Sequence, residues 1–195
     1  VMGPDAGVGL LGGVALAAGS IVRRGGVGIV GASGSGAQEV ACLIEGLGAG
    51  VSAIIGTGGR DLLPAIGGIT MRMGMMRLEA DEDTQVICLV SKLADESVMA
   101  EILAAADGLC KPVVAVFLGG GEALFEGRKT RCATTLHAAA EISYELLTGQ
   151  KKTLGWTAEE REALAGRLLA CIPTERRYLR GLYCGGTFAE EGMIL

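Results

Sequence analysis

A chain of 195 residues can fold around one well-packed core; half of its residues are hydrophobic but only 4% are aromatic, so that core must be built from Ala, Val, Ile, Leu and Met. A net charge of −5 with no basic stripe argues against nucleic acid as a partner, and the lack of any uninterrupted apolar run of about 18 residues argues against a membrane span. The 33 glycines follow no three-residue period, which excludes collagen, and the six cysteines form no CxxC pair, which argues against a zinc cluster or disulfide framework and fits buried, reduced thiols in a cytoplasmic protein.

The chain opens with Val1-Met2-Gly3-Pro4-Asp5 and ends at Leu195 inside a plausible helix, so it reads as a fragment or processed piece of something longer. Residues 1–26 are expected to be the end of a preceding domain and a connector. Four short apolar runs, 27–30, 51–55, 85–90 and 113–118, are continuous and rich in β-branched residues, the pattern of parallel strands covered on both faces. Helical stretches at 35–47, 68–80 and 95–106 separate them, and a β-α-β-α order implies right-handed crossovers. A further helix is expected at 134–147. Next, Thr157 and Glu160 form a capping box for a helix over 158–170, which completes a domain spanning 27–171. Residues 172–195 are expected to hold a linker and the beginning of a second αβ unit. There a short apolar strand, a small-residue turn and a helix start echo the pattern of residues 28–39.

The segment Gly31-Ala32-Ser33-Gly34-Ser35-Gly36 lies between a predicted strand and a predicted helix. First-turn amides without partners and the positive end of the helix dipole attract anions, so Ser33, Gly34, Ser35 and Gly36 are candidate phosphate-binding residues. Three sharper motifs fail on spacing. The next strand ends in Gly56-Thr57-Gly58-Gly59 rather than an acidic residue, which disfavours NAD; Ala37 stands where a Walker A loop needs its lysine context; and neither serine sits in Gly-x-Ser-x-Gly. The other strand ends carry similar features: Gly56, Thr57, Gly58, Gly59, Arg60 and Asp61 after the second, Ser91 and Lys92 after the third, Gly119, Gly120 and Gly121 after the fourth. Arg60 and Lys92 add positive charge at this edge and are the candidate catalytic residues. His137, the only histidine, lies within a predicted helix and is given a structural or surface role, and the methionines at 71, 73, 75 and 76 are expected to pack a helix onto the sheet or a partner.

On residues 1–5, 23–36, 56–61 and 181–187 the sequence resembles the FdrA family of predicted acyl-CoA synthetases, relatives of the succinyl-CoA ligase alpha subunit. The resemblance implies a flavodoxin-like, doubly wound parallel sheet of the succinyl-CoA synthetase-domain type. It also implies a CoA-binding Rossmann domain ahead of Val1, so that CoA is a possible cofactor of the full-length protein. In that family two helix N-termini converge on a phosphoryl group: Ser33, Gly34, Ser35 and Gly36 match the first, and Cys184, Gly185, Gly186 and Thr187 resemble the second. Two departures stand out. Residues 119–128 contain no histidine where the ligases carry a phosphohistidine, and Ser91-Lys92 stands where they present a glutamate. Phosphate binding is retained in this reading and a phosphohistidine relay is not. The implied function is a subunit that binds phosphate or an acyl or carbamoyl phosphate and supports acyl transfer, with homo-oligomers or partner subunits. The alternatives are an oxamate-type carbamoyltransferase subunit of ureide (allantoin-type) catabolism, or a non-catalytic anion-binding assembly module.

Overall fold

A computed structural model describes residues 3, 5–92, 94–120, 122–173, 175–176, 178 and 180–194. The four predicted parallel strands form β3 (Arg24–Gly31), β4 (Val51–Gly56), β5 (Val86–Lys92) and β6 (Val113–Leu118); every residue of β4 and β6 is buried. Three short strands escaped the sequence reading. They are β1 (Gly9–Leu11) and β2 (Val14–Ala15), which make a hairpin, and β7 (Arg131–Ala133). Strands of two or three residues carry no periodicity to detect. The hairpin turn is Gly12-Gly13, both at positive φ, the conformation that two-residue hairpins require.

The sheet runs β2-β1-β4-β3-β5-β6-β7. Its parallel part, β4-β3-β5-β6-β7, is the 2-1-3-4-5 order of flavodoxin-like folds, as expected. β1, from the segment assigned to a connector, pairs antiparallel with β4 and so extends this same sheet. Alternating side chains feed two cores. Val86, Cys88 and Val90 of β5 pack with α1 (Gly34–Leu47) and α4 (Leu136–Thr148), while Ile87 and Leu89 pack with α2 (Ile69–Glu79) and α3 (Glu96–Asp107).

Met71 and Met75 are buried against the sheet as expected, whereas Met73 and Met76 are exposed on the outer side of α2. All six cysteines are unpaired, but the expectation of burial holds only for Cys88; Cys42, Cys110, Cys171 and Cys184 are exposed. Burial pushes the Cys88 thiol up to about 12, leaving it protonated and inert. The capping box of Thr157 and Glu160 starts α5 (Ala158–Ala170), none of whose residues is buried. The final helix is α6 (Gly186–Ile194). The strand expected just before it does not form among the described residues.

Candidate functional site

The chain leaves β3 towards β4 on one side and crosses back to β5 on the other, so the loops after β3 and β5 part at the switch point of the sheet. Ser33 follows β3 in extended conformation and caps α1, its Oγ accepting from the Gly36 amide at 3.1 Å. Such a cap stabilises a helix by about 1 kcal/mol. The same Oγ lies 2.6 Å from Thr187 Oγ1, in the first turn of α6, and both residues are buried. Two helix N-termini that are 154 residues apart in sequence therefore meet at one point.

Glycine makes that meeting possible. A Cβ on Gly36 would lie 2.7 Å from Ser33 Oγ and 3.1 Å from the Thr187 methyl. Gly185, just ahead of α6, has φ +103, a conformation that disfavours side chains. Two further contacts hold α6. Phe188 packs on the core under α1 and α4, and Glu191 Oε1 accepts from the Leu136 amide at 2.7 Å, capping α4 from outside.

Lys92, the last residue of β5, reaches over the start of α6: a Cβ on Gly186 would lie 2.6 Å from its Nζ. A cation at the positive end of a helix is electrostatically uncomfortable unless an anion joins it. The only carboxylate paired with Lys92 among the described residues is Glu190, with Oε1 at 3.7 Å, while Glu190 Oε2 is buried without a hydrogen-bond partner. Both side chains are more than a third exposed, so this pair contributes little to stability. Ser35 faces the turn before α6, its Oγ 3.5 Å from the position of a Cβ on Gly185.

Beside Lys92 opens a cavity of about 350 Å³, lined by Ala32, Gly59, Leu62, Leu63, Pro64, Ser91, Lys92, Ala94 and Asp95. Asp95 caps α3 through the Ser97 amide, and the Ser97 hydroxyl, followed by that amide, holds its carboxyl below the usual carboxylate range.

The remaining predicted residues are distributed along the same edge. Gly56, Thr57 and Gly58 are buried beneath the N-terminal segment: the Gly3 amide donates to Gly56 O at 3.1 Å, and a Cβ on Gly56 would meet Val8 O at 2.3 Å. Close backbone packing explains Gly56, whereas Gly58 has φ +81 and the Asp5 carboxylate stands where its Cβ would lie. Gly59 lines the cavity, and Arg60 next to it is exposed with no side-chain partner among the described residues. Asp61 is turned inward, accepting from the Thr70 and Met71 amides at 2.8 Å and so capping α2. Gly119 and Gly120 follow β6 at this sheet edge, and Gly121 lies outside the described residues. Cys184 is exposed ahead of α6, and His137 is exposed on α4, as expected. Sequence reasoning missed Glu190 and Glu191. Acidic residues four and five positions into a helix look like a solvated face, and nothing local signals that one of them caps a different helix.

An open, mostly parallel sheet of this order is the flavodoxin-like α/β fold that succinyl-CoA synthetase-like domains share. A family model described as "CoA binding domain" matches residues 22–119, half of the chain, and the chain belongs to that family. The match covers β3 to β6 of this chain, whereas the resemblance placed the CoA-binding domain ahead of Val1. A relative from Escherichia coli (strain K12), "Uncharacterized protein YahF", is 40% identical over 194 residues; the alignment takes in 100% of this chain and 38% of the relative. Among solved structures, the Ca. Korarchaeum cryptofilum dinucleotide-forming acetyl-coenzyme A synthetase 1 in complex with phosphate and ADP matches with a TM-score of 0.57 at 16% identity, over 75% of this chain and 36% of that one. The Methanothrix soehngenii ATP citrate lyase in complex with citrate and coenzyme A matches with a TM-score of 0.52 at 18% identity, over 100% of this chain and 34% of that one. At such identities the likeness concerns the fold, and the chain spans between 34% and 38% of the length of these three proteins. Among the described residues, no helix is long and apolar enough to cross a membrane.

Proposed function

We propose that the convergent starts of α1 and α6, with Lys92 between them, bind a phosphate or the phosphoryl end of an acyl or carbamoyl phosphate. In this reading the chain is part of an FdrA-type, acyl-CoA synthetase-like enzyme that supports acyl transfer. The observation that carries it is the placement of the Lys92 ammonium against Gly186 at the positive end of α6, next to the capped start of α1. Three sources of positive potential face one point, and one partly exposed carboxylate offsets them.

Catalysis would be electrostatic. As the acyl–oxygen bond breaks, the phosphate leaves with the electron pair, and first-turn amides, Lys92 and the exposed Arg60 stabilise its growing charge. Family membership supports CoA as an acyl acceptor, and partner subunits or further copies would complete the enzyme. A carbamoyltransferase is the second reading. It is favoured by the lack of a histidine in residues 119–128, where the ligases would form a phosphohistidine.

Calorimetric titration with inorganic phosphate tests the proposal. Lys92→Ala should weaken phosphate binding at least tenfold, about 1.4 kcal/mol, with the fold intact by circular dichroism. Equal affinity in the variant and the parent would remove Lys92 from the site.

A further inference from the structure

The cavity beside Lys92 is a second, separable feature of the site. Much of its lining is apolar: Leu62, Leu63 and Pro64 of the β4–α2 loop together with Ala32 and Ala94. Lys92 lines the same cavity, which thereby adjoins the proposed anion site. Ser91 also lines it, 3% exposed, and its hydroxyl makes no hydrogen bond among the described residues. Its oxygen is not sealed in the interior, so the hydroxyl is free to donate into the cavity. Asp95 is the one carboxylate in the lining, and its hydrogen bonds to Ser97 anchor it there. At about 350 Å³ the cavity is near the small end of ligand-binding clefts.

Resting on the anion site proposed above, we infer that this cavity is the acyl pocket and that it selects a short, uncharged acyl or carbamoyl group over one ending in a carboxylate. The phosphoryl end lies at Lys92, and the acyl carbonyl accepts from the Ser91 hydroxyl. The remainder of the group rests on Leu62, Leu63 and Pro64. A terminal carboxylate there would lose its hydration against an apolar wall and share the cavity with Asp95, while Lys92, the cation in the described lining, is taken up by the phosphoryl end. The pocket is therefore shaped against dicarboxylic acyl groups.

The test compares three probes by calorimetry: inorganic phosphate, acetylphosphonate, and succinylphosphonate, which differs from acetylphosphonate only by an added CH2 and a terminal carboxylate. Acetylphosphonate should bind at least threefold tighter than phosphate, and succinylphosphonate at least tenfold more weakly than acetylphosphonate. Ser91→Ala should remove the advantage of acetylphosphonate while leaving phosphate affinity within twofold. Leu63→Asp, on an exposed loop residue, provides a second variant that should weaken acetylphosphonate and spare phosphate. Phosphate binding without any preference among the acyl probes, or a preference that survives both substitutions, overturns the pocket and leaves the anion site standing. Failure of phosphate itself to bind overturns both.

Discussion

At the scale of single residues, the glycines divide into those that admit other parts of the protein and those that leave space beside the proposed ligand. Gly36 and Gly56 belong to the first group, since a Cβ on either would collide with Ser33 and Thr187 or with Val8. Gly186 belongs to the second. Its missing Cβ is the space into which Lys92 Nζ projects, and that neighbour is the free end of a flexible side chain. Gly186→Ala should therefore leave thermal stability almost unchanged, because Lys92 can swing aside and alanine is the better helix former. Phosphate affinity should fall about threefold to tenfold as the ammonium is displaced. Scanning calorimetry with and without phosphate reads both effects; a large drop in Tm without ligand would mean that the Lys92–Gly186 contact is structural.

At the scale of elements, α6 is the piece on which the site depends and the least secured of the elements that build it. It has nine residues, of which only Thr187 and Glu191 are buried, so the Ser33–Thr187 and Leu136–Glu191 hydrogen bonds carry much of its attachment. Glu191→Ala removes the acceptor of the Leu136 amide and should cost roughly 1–3 kcal/mol of local stability. Hydrogen exchange should then accelerate at least tenfold across residues 186–194 while the amides of β3 to β6 stay protected, and phosphate should bind more weakly because the second helix start is less often in place. Exchange rates unchanged in α6 would show that other contacts hold it.

The same element marks how far the sequence was legible. The four long parallel strands and the helices between them announce themselves through continuous apolar runs and 3.6-residue spacing, and the echo of residues 28–39 near the C-terminus pointed to the helix start at Gly186. What lay hidden were long-range partnerships. The convergence of the helix starts at Ser33 and Thr187 came from the family resemblance alone, and the role of Glu191 from nothing in the sequence, because a hydrogen bond across 154 or 55 residues leaves no periodic trace. The β1–β2 hairpin and β7 were too short to register, and Asp61 gave no sign that it would turn inward to cap α2 rather than stay beside Arg60.

At the scale of the whole molecule, the topology explains why the site lies where it does. The 2-1-3-4-5 order opens a crevice between the loops after β3 and β5, and the chain returns 154 residues after Ser33 to set α6 against it. The antiparallel hairpin extends the sheet beyond β4, and Gly3, Asp5, Ala6 and Val8 fill the glycine turn after that strand, while the cavity beside Lys92 stays open. Two helices meeting at a single anion is thus a claim about the fold as a unit. Phosphate titration followed by amide resonances in a nitrogen-15 labelled sample tests it most directly. Gly34, Ser35, Gly186 and Thr187 should shift together, along curves that share one dissociation constant; shifts confined to one helix start, or two unrelated constants, would contradict a shared site.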